Sequence, residues 1–365
     1  MTVAATPGLV KLRAHQFARQ TAFATPVAAV RRYPFTGVPD TDLAWTDPEV
    51  DAGSLDPIVA PYREAENLTA AHNAPALYYN DIPLMLSAML GDDVDAVGAG
   101  TAKTWTHQPA SLTADELDLY TYEFGDDLDG TGGKPNDWFQ FGDGLLESLT
   151  ITGPEGLGAL SADLAWRFGM VRYEGSTESG LQPTPSVPTA ALSVDSEGVP
   201  VYLGNAVLSI DSAHGDIGTT AISDALHSFT LTISRELDLK RLANGNGFDL
   251  SGYGVGPRSI ELSMQFAKTA DTVGVGSESD AWFSETAVNR FVEIEFTSTA
   301  FAQTAGSPDI PYSWQLRMPL RYYTREDGAI GNNTTVTLVG RAFYHSTLGY
   351  AFRSVLVNTL ATASL

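Results

Sequence analysis

The Asp- and Gly-rich stretch GDDLDGTGGKPND (125–137) has the residue types and spacing closest to those of a metal site. Asp126, Asp127 and Asp129 precede a glycine, which is typical of the start of a calcium loop. Such a loop is completed by a glutamate at its twelfth position, and counted from Asp127 that position is Trp138. Two interpretations stay open for this stretch, a solvated turn and a weak cation site.

Other patterns with chemical meaning are missing from the sequence. The six histidines stand at 15, 72, 107, 214, 227 and 345, without the H-x-x-x-H or H-E-x-x-H spacing of a metal site. There is no G-x-S-x-G elbow and no phosphate-binding G-x-x-x-x-G-K-[ST] loop. The glycines at 244–257 lack a strand-to-helix context, so a turn is favoured there. We therefore expect a protein that is not an enzyme, with no cofactor and no catalytic residue.

Composition restricts the partners of the chain. It has 365 residues, 43% of them apolar, and no cysteine, so it cannot form disulfides or a Cys-ligated metal centre. Its 21 basic and 44 acidic residues give a net charge of −23, which opposes binding to nucleic acid over most of the surface. No apolar run reaches 18 residues and the N-terminal residues lack a signal-peptide pattern, so we expect no membrane partner.

Periodicity divides the chain into four parts. Residues 1–60 are rich in proline with weak periodicity, which predicts an extended N-terminal arm or irregular loops with at most short edge strands. We expect a first β module at 61–175, a linker at 176–198 that is poor in large apolar residues, and a second β module at 199–365.

Strands dominate both modules. Apolar and polar residues alternate in SADLAWRF (161–168), HSFTLTIS (227–234) and RSIELSMQFAK (258–268), which is the strand period of two. Two short helices are predicted, at 80–93 with Asp81 at its start and Gly91 at its end, and at 277–291.

A short sequence echo indicates a tandem duplication. The stretch ESLTITGPEGLG (147–158) resembles LHSFTLTISRELDLK (226–240), and each half has the order strands, helix, strands. The predicted fold class is therefore mainly β, a duplicated β-sandwich or barrel module with a short flanking α-helix.

Three longer stretches carry a resemblance to a known family. They are ALHSFTLTISRELDLK, GYGVGPRSIELSMQFA and DAWFSETAVNRFVEIEF, preceded by APALYYNDIPLMLSAMLGDD and AKTWTHQP in the first half. Their order and spacing resemble the major tail tube proteins of long-tailed (siphovirus-type) bacteriophages. The resemblance covers most of residues 60–345 and rests on residue type, not on invariant signatures.

The resemblance implies a structural virion protein with itself as main partner. Such subunits close into rings that stack into a tail tube, through which DNA passes on ejection without specific binding. A chain with two modules implies three-fold rings with pseudo-six-fold symmetry, with six-fold rings as the alternative. It also implies contacts with the tape-measure protein and the tail terminator and tip proteins, assembly in the bacterial cytoplasm, and a final place in the virion tail. The alternative from another class is a β-sandwich binding module, such as an adhesin, a decoration protein or a carbohydrate-binding protein.

Two groups of residues are candidates for tube function. Acidic residues that alternate with apolar neighbours on strands are candidates to face the channel, because repulsion would keep DNA from binding to its wall, and the alternative is that they are ordinary solvent-facing strand positions. These are Glu147, Asp163, Glu261, Glu293 and Glu295. Apolar residues on the loop 235–257, expected outside any regular strand, are candidates for a contact between rings. These are Leu237, Leu239, Leu242, Phe248 and Leu250.

Overall fold

The computed structural model describes most of the chain. The described residues are 13–46, 62–91, 96–98, 100–109, 117–125, 138–156, 158–173, 198–222, 226–240, 251–269, 289–304 and 309–361.

Eighteen strands and one α-helix lie in these ranges. The first half holds β1 Ala14–Gln20, β2 Arg31–Tyr33, β3 Thr36–Thr46, β4 Tyr62–Ala74, α1 Ile82–Leu90, β5 Lys103–His107, β6 Leu119–Gly125, β7 Trp138–Gly153, β8 Ser161–Phe168 and β9 Met170–Tyr173. The second half holds β10 Ala206–Asp211, β11 Leu226–Ser234, β12 Leu237–Lys240, β13 Gly252–Val255, β14 Ser259–Ala267, β15 Arg290–Gln303, β16 Ile310–Ile330, β17 Asn333–Ala342 and β18 Arg353–Asn358. The described chain is therefore mainly β, as the alternating sequences predict.

One antiparallel sheet runs through both halves, and we call it the long sheet. Its eight strands lie in the order β3-β4-β8-β7-β11-β14-β17-β16, and every neighbouring pair is antiparallel. The first four strands come from the first half of the chain and the last four from the second half. The pairing of β7 with β11 is the joint between them.

Two further sheets cover the buried face of the long sheet. The first cover sheet has the order β9-β7-β6-β1-β2, and the second has the order β10-β15-β16-β18-β5. The strands β7 and β16 each belong to two sheets, because their N-terminal parts pair in a cover sheet and their C-terminal parts pair in the long sheet. Each long strand thus fixes a cover sheet to the long sheet.

Aromatic side chains fill the space between these layers. Phe17 on β1 packs on Trp166 of β8 with 5.3 Å between ring centroids. In the second half Phe229 on β11 packs on Phe296 of β15 at 6.0 Å. These residues belong to one continuous core that spans both halves, so the two predicted modules do not have separate cores.

The predicted helix at 80–93 is confirmed as α1. Asp81 precedes its first turn, a proline lies in that turn, and Gly91 ends it with a left-handed φ of 65°. All nine residues of the helix are buried, as its all-round apolar sequence predicts. Asp81 makes no side-chain cap and instead forms a buried ion pair with Arg31 of β2, with 3.0 Å between Oδ1 and Nη2.

The two halves repeat the same pairing pattern in the same chain order. In the first half β1 pairs with β6, β6 with β7, β7 with β8 and β9, β8 with β4, and β4 with β3. In the second half β10 pairs with β15, β15 with β16, β16 with β17 and β18, β17 with β14, and β14 with β11. The structural counterpart of β7 is therefore β16, and that of β3 is β11.

The sequence echo marks something different from this repeat. The strand of the first echo, in β7, lies directly beside the strand of the second, β11, with Leu149 opposite Ile233 and Ile151 opposite Leu231. Equivalent strands in the two halves have the same place in their sheets, whereas these two are neighbours. The two stretches have similar sequences and also similar surroundings, because they are partner strands in the middle of the long sheet.

The prediction of an irregular arm over residues 1–60 is wrong for residues 13–46. These residues supply β1, β2 and β3, and Phe17 on β1 is only 1% exposed. The weak periodicity has a physical reason, because β1 is buried over most of its length and therefore does not alternate. The linker prediction at 176–198 falls outside the described residues except for its last residue, and so do the first twelve residues of the helix predicted at 277–291. Its last two residues, Arg290 and Phe291, begin β15.

The bend at which β7 changes sheets has no room for a side chain at Gly144. A Cβ there would lie 2.8 Å from the carbonyl oxygen of Tyr120 and 2.7 Å from the ring of Phe168. We expect Gly144→Ala to lower the free energy of unfolding by about 1–3 kcal/mol, measured by urea denaturation. Gly252→Ala in β13 is the control, since nothing lies within 4 Å of its Cβ position, and we expect a change within about 0.5 kcal/mol. Equal effects of the two substitutions would contradict this account of the bend.

Candidate functional site

The face of the long sheet opposite the core is lined by small polar residues. On β11 the apolar Phe229, Leu231 and Ile233 are buried, and the residues between them are hydroxyl-bearing and partly exposed. The same alternation holds on β8 and β14. We call this surface the polar face. Among the described residues, register places six carboxylates and three arginines on it: Asp40, Asp42, Glu147, Asp163, Glu261, Glu326, Arg167, Arg321 and Arg341.

Three of the five predicted channel residues share the polar face. Glu147 is held by Arg167 through two contacts of 2.9 Å, one from Nε to Oε2 and one from Nη2 to Oε1. Asp163 accepts a hydrogen bond of 2.7 Å from the side-chain amide of Asn73 on the neighbouring strand. Both carboxylates lie at or near the surface and could repel a polyanion at short range.

The third, Glu261, belongs to a cluster at the equivalent place in the second half. It lies opposite Arg341 in the register of β14 and β17. The guanidinium of Arg341 lies over the ring of Tyr323, 5.5 Å from its centroid. Partial burial and a hydrogen bond with Glu261 raise the pKa of Tyr323, so its phenol stays protonated. Each half of the polar face thus carries one arginine near a glutamate.

The prediction that Glu293 and Glu295 face the same surface is wrong. Both lie on β15 in the second cover sheet, not in the long sheet. Glu293 is 5% exposed and forms an ion pair with Arg317 of β16. Sequence alternation identifies the period of a strand, but it does not identify the sheet to which the strand belongs.

The loop 235–257 is also corrected in part. Leu237 and Leu239 were expected outside any strand, but they lie in β12, which pairs with β13 as a separate hairpin. Leu237 is 5% exposed and packs in a small cluster with Leu117, Leu119 and Leu145 of the first half. Its burial inside the chain removes it as a surface contact. The remaining candidates Leu242, Phe248 and Leu250 lie outside the described residues.

The long sheet ends in two strand edges without a strand partner in the described part of the chain. At one end β3 pairs with β4, and at the other end residues 326–330 of β16 pair with β17, and neither stretch has a second strand partner among the described residues. Unpaired N–H and C=O groups on such edges are a template for adding another strand. Val38 on β3 and Tyr323 on β16 are 50% and 47% exposed.

The buried histidines His15, His72 and His107 pack against aromatic side chains inside the fold. Nδ1 of His15 lies 2.9 Å from the hydroxyl of Tyr122, and the ring of His72 packs edge-on against the same tyrosine at 4.7 Å. Burial lowers the pKa of His15 to about 4 and that of His107 to about 3, so both are neutral at pH 7. In the described ranges no three residues of the types His, Cys, Asp and Glu come together as a metal site would require. The Asp-rich stretch falls outside those ranges from Asp126 onward.

Comparison with known proteins gives no family assignment, since no family model matches the chain and a search of curated proteins finds no significant relative. Among the described residues, no helix has the length and apolarity needed to cross a membrane.

Sequence reasoning allowed only short edge strands in residues 1–60 and did not identify β16 as an edge, whereas the structure brings β3 and β16 to opposite ends of the long sheet. In β3 the sequence TGVPDTDLAWT contains a proline and two aspartates, and these residues are typical of an edge. In β16 the charged REDGAI end has the same character. Both signals were present, but neither shows how long the edge strand is or that 36–46 pairs along its length with the next strand, β4.

Glu123 is a buried carboxyl whose titration can be tested. It is 0% exposed, and burial raises its pKa to about 7, although hydrogen bonds from Gln140 and the backbone of Ala29 oppose the shift. An acid with a raised folded-state pKa favours folding below its unfolded pKa of 4.5 and loses that contribution as the pH rises to 7. We therefore expect the unfolding free energy of the wild type, relative to Glu123→Gln, to fall by up to about 1.4 kcal/mol per pH unit in this window.

The measurement is urea denaturation of both proteins at pH 4.5, 6 and 8. Glu155→Gln is the control, because Glu155 is exposed. A difference between wild type and Glu123→Gln that does not change with pH would contradict the raised pKa.

Proposed function

We propose that the chain is a structural subunit of a phage tail tube, which forms stacked rings around a channel for DNA. The observation that carries the proposal is the repeated pairing pattern of the two halves, joined into one sheet of eight strands. Such a repeat is what a tandem duplication of one sandwich module produces, and it agrees with the resemblance in the sequence. The subunit would reside in the virion tail after assembly in the host cytoplasm.

The relation between the halves supports a ring. Each half contributes four strands in the same order, so the second half follows the first along the sheet by one repeated step. A two-fold relation would have reversed the order and ended the assembly. Three chains would supply six such steps, which is the three-fold ring with pseudo-six-fold symmetry, and closure would remove both free edges.

The polar face supports a role as channel wall. Its small hydroxyl-bearing residues offer no row of cations to phosphates, and in the described part of the chain carboxylates outnumber arginines there. DNA that meets such a wall is repelled over about 8–10 Å at physiological salt and releases no counterions by binding. Contacts with a tape-measure protein and with terminator or tip proteins follow from the same proposal through the family resemblance.

Electron microscopy of the purified protein tests the assembly. We expect hollow stacked rings with three copies of the chain per ring and the polar face around the hole. A protein that remains monomeric at high concentration would favour the binding-module alternative, and six whole chains per ring would contradict the three-fold arrangement.

The channel wall is tested by a matched pair of charge reversals. Asp163→Lys changes the polar face, whereas Glu295→Lys changes the second cover sheet by the same charge. We expect tubes of Asp163→Lys to retain short duplex DNA in co-sedimentation at 50 mM salt and to release it at 200 mM, since phosphate contacts weaken steeply with salt. Tubes of the wild type and of Glu295→Lys should retain little DNA at either salt. Equal retention by both variants would mean that the polar face does not line the channel.

A further inference from the structure

The pairing of β7 with β11 inside the chain is a template for the pairing of the free edges of the long sheet. In the described part of the chain β3 and residues 326–330 of β16 lack a second strand partner. Their structural counterparts, β11 and β7, pair with each other inside the chain. The joint between the halves therefore shows how a β16-type edge receives a β3-type strand.

A register shift in the β7–β8 ladder and another in the β16–β17 ladder allow β7 and β16 to be aligned residue by residue. In the β7–β8 ladder the register shifts between Leu146 and Ser148, so Glu147 is the extra residue. In the β16–β17 ladder it shifts between Tyr322 and Thr324, so Tyr323 is the extra residue. Glu147 and Tyr323 are thus equivalent positions. Equivalence then extends along both strands, so that Thr150 corresponds to Glu326 and Thr152 to Gly328.

The strands β11 and β3 are aligned with each other through their neighbours in the long sheet, β14 and β4. Arg167 and Arg341 are equivalent from the ladders above, and they lie opposite Thr69 of β4 and Glu261 of β14. Asp40 lies opposite Thr69, and Thr232 lies opposite Glu261. Asp40 is therefore the counterpart of Thr232.

We propose that β3 of one copy of this chain adds to β16 of the next copy in the antiparallel register of the β11–β7 joint. Inside the chain Thr232 lies opposite Thr150, with 3.4 Å between their hydroxyl oxygens. Transferred to the interface, Asp40 lies opposite Glu326 of the next copy and Val38 lies opposite Gly328. Each free edge is thus occupied by another copy of the chain, and β3 of one copy always pairs with β16 of its neighbour.

The strand count agrees with this arrangement. Eight strands alternate in direction across the long sheet, so its two end strands run opposite to each other. A copy placed in line with the first therefore brings β3 antiparallel to β16, as β11 lies to β7. This interface deepens the proposed function and rests on the ring arrangement stated there.

The interface differs from the internal joint in its charges. Where the internal joint has two threonines, the interface has Asp40 and Glu326, and like charges directly opposite each other on paired strands are destabilising. We expect Glu326→Gln to strengthen the association of subunits about two- to fivefold, measured by sedimentation equilibrium at low salt. Asp309→Asn, an exposed change beyond the two edges, is the control and should leave association unchanged. Weaker association of Glu326→Gln than of the control would overturn the register.

Disulfide cross-linking tests the register directly, because the chain has no cysteine of its own. We expect the double variant Asp40→Cys with Glu326→Cys to form interchain disulfides on oxidation, since directly opposite residues meet the geometric needs of a disulfide. Denaturing gels should show ladders of linked chains that end at a closed trimer and disappear on reduction. The matched control is Thr41→Cys with Glu326→Cys, whose side chains point to opposite faces of the sheet and should give about tenfold less linked material.

The single variants separate the two possible kinds of pairing. Neither Asp40→Cys nor Glu326→Cys alone should cross-link, because each edge meets a different edge of its neighbour. Dimers of Asp40→Cys alone would show a two-fold β3–β3 contact and overturn the proposal, as would equal linking in the Thr41 control or no linking in any variant. Linked rings that microscopy shows to form no hollow tube would uphold this interface and contradict the channel function.

Discussion

The pairing of β7 with β11 is the interaction on which the rest of the architecture depends. It joins four strands from each half into one sheet, and thereby aligns the buried faces of both halves on the same side. Because side chains on a strand alternate with period two, a shift of one residue at this joint would turn the apolar face of one half toward solvent. The alternation on both strands therefore fixes the register, with Leu149 opposite Ile233 and Ile151 opposite Leu231.

The long strands β7 and β16 connect the long sheet to the two cover sheets, because each strand pairs in the long sheet and in one cover sheet. In β7 the change of sheet occurs at Asp143, which has a φ of 55° and lies between two glycines. Its carboxylate accepts hydrogen bonds of 2.6 Å from Gln20 and 2.9 Å from the backbone N–H of Ala24. A strained backbone at this residue is thus stabilised by the segment that follows β1, which shows why residues 13–46 are part of the fold and not an appendage.

The sequence predicted strand periods and helix ends, which depend on local pattern. It did not predict which sheet a strand joins, because that depends on partners that are distant in the sequence. Strand alternation in 161–168, 227–234 and 258–268 predicted the buried residues, and Asp81 and Gly91 predicted the helix ends, because these features arise from neighbouring residues. The place of β1 in the core was missed, since its neighbour β6 lies about a hundred residues away. Glu293 was assigned to the wrong surface for the same reason.

The proposed interface would have the strand geometry of the internal joint but a lower strength, and this difference would set the order of folding and assembly. The joint between β7 and β11 forms within one chain, carries neutral threonines at its centre and is completed by the core that both halves share. The contact between copies would carry two carboxylates at the equivalent place and must offset the loss of translational freedom on association. On this proposal, folding within a chain would precede pairing between chains. In the proposed ring, the angle between the halves, set when the internal joint forms, would be repeated at each new contact, so that the fold of one chain would determine how many copies close the ring.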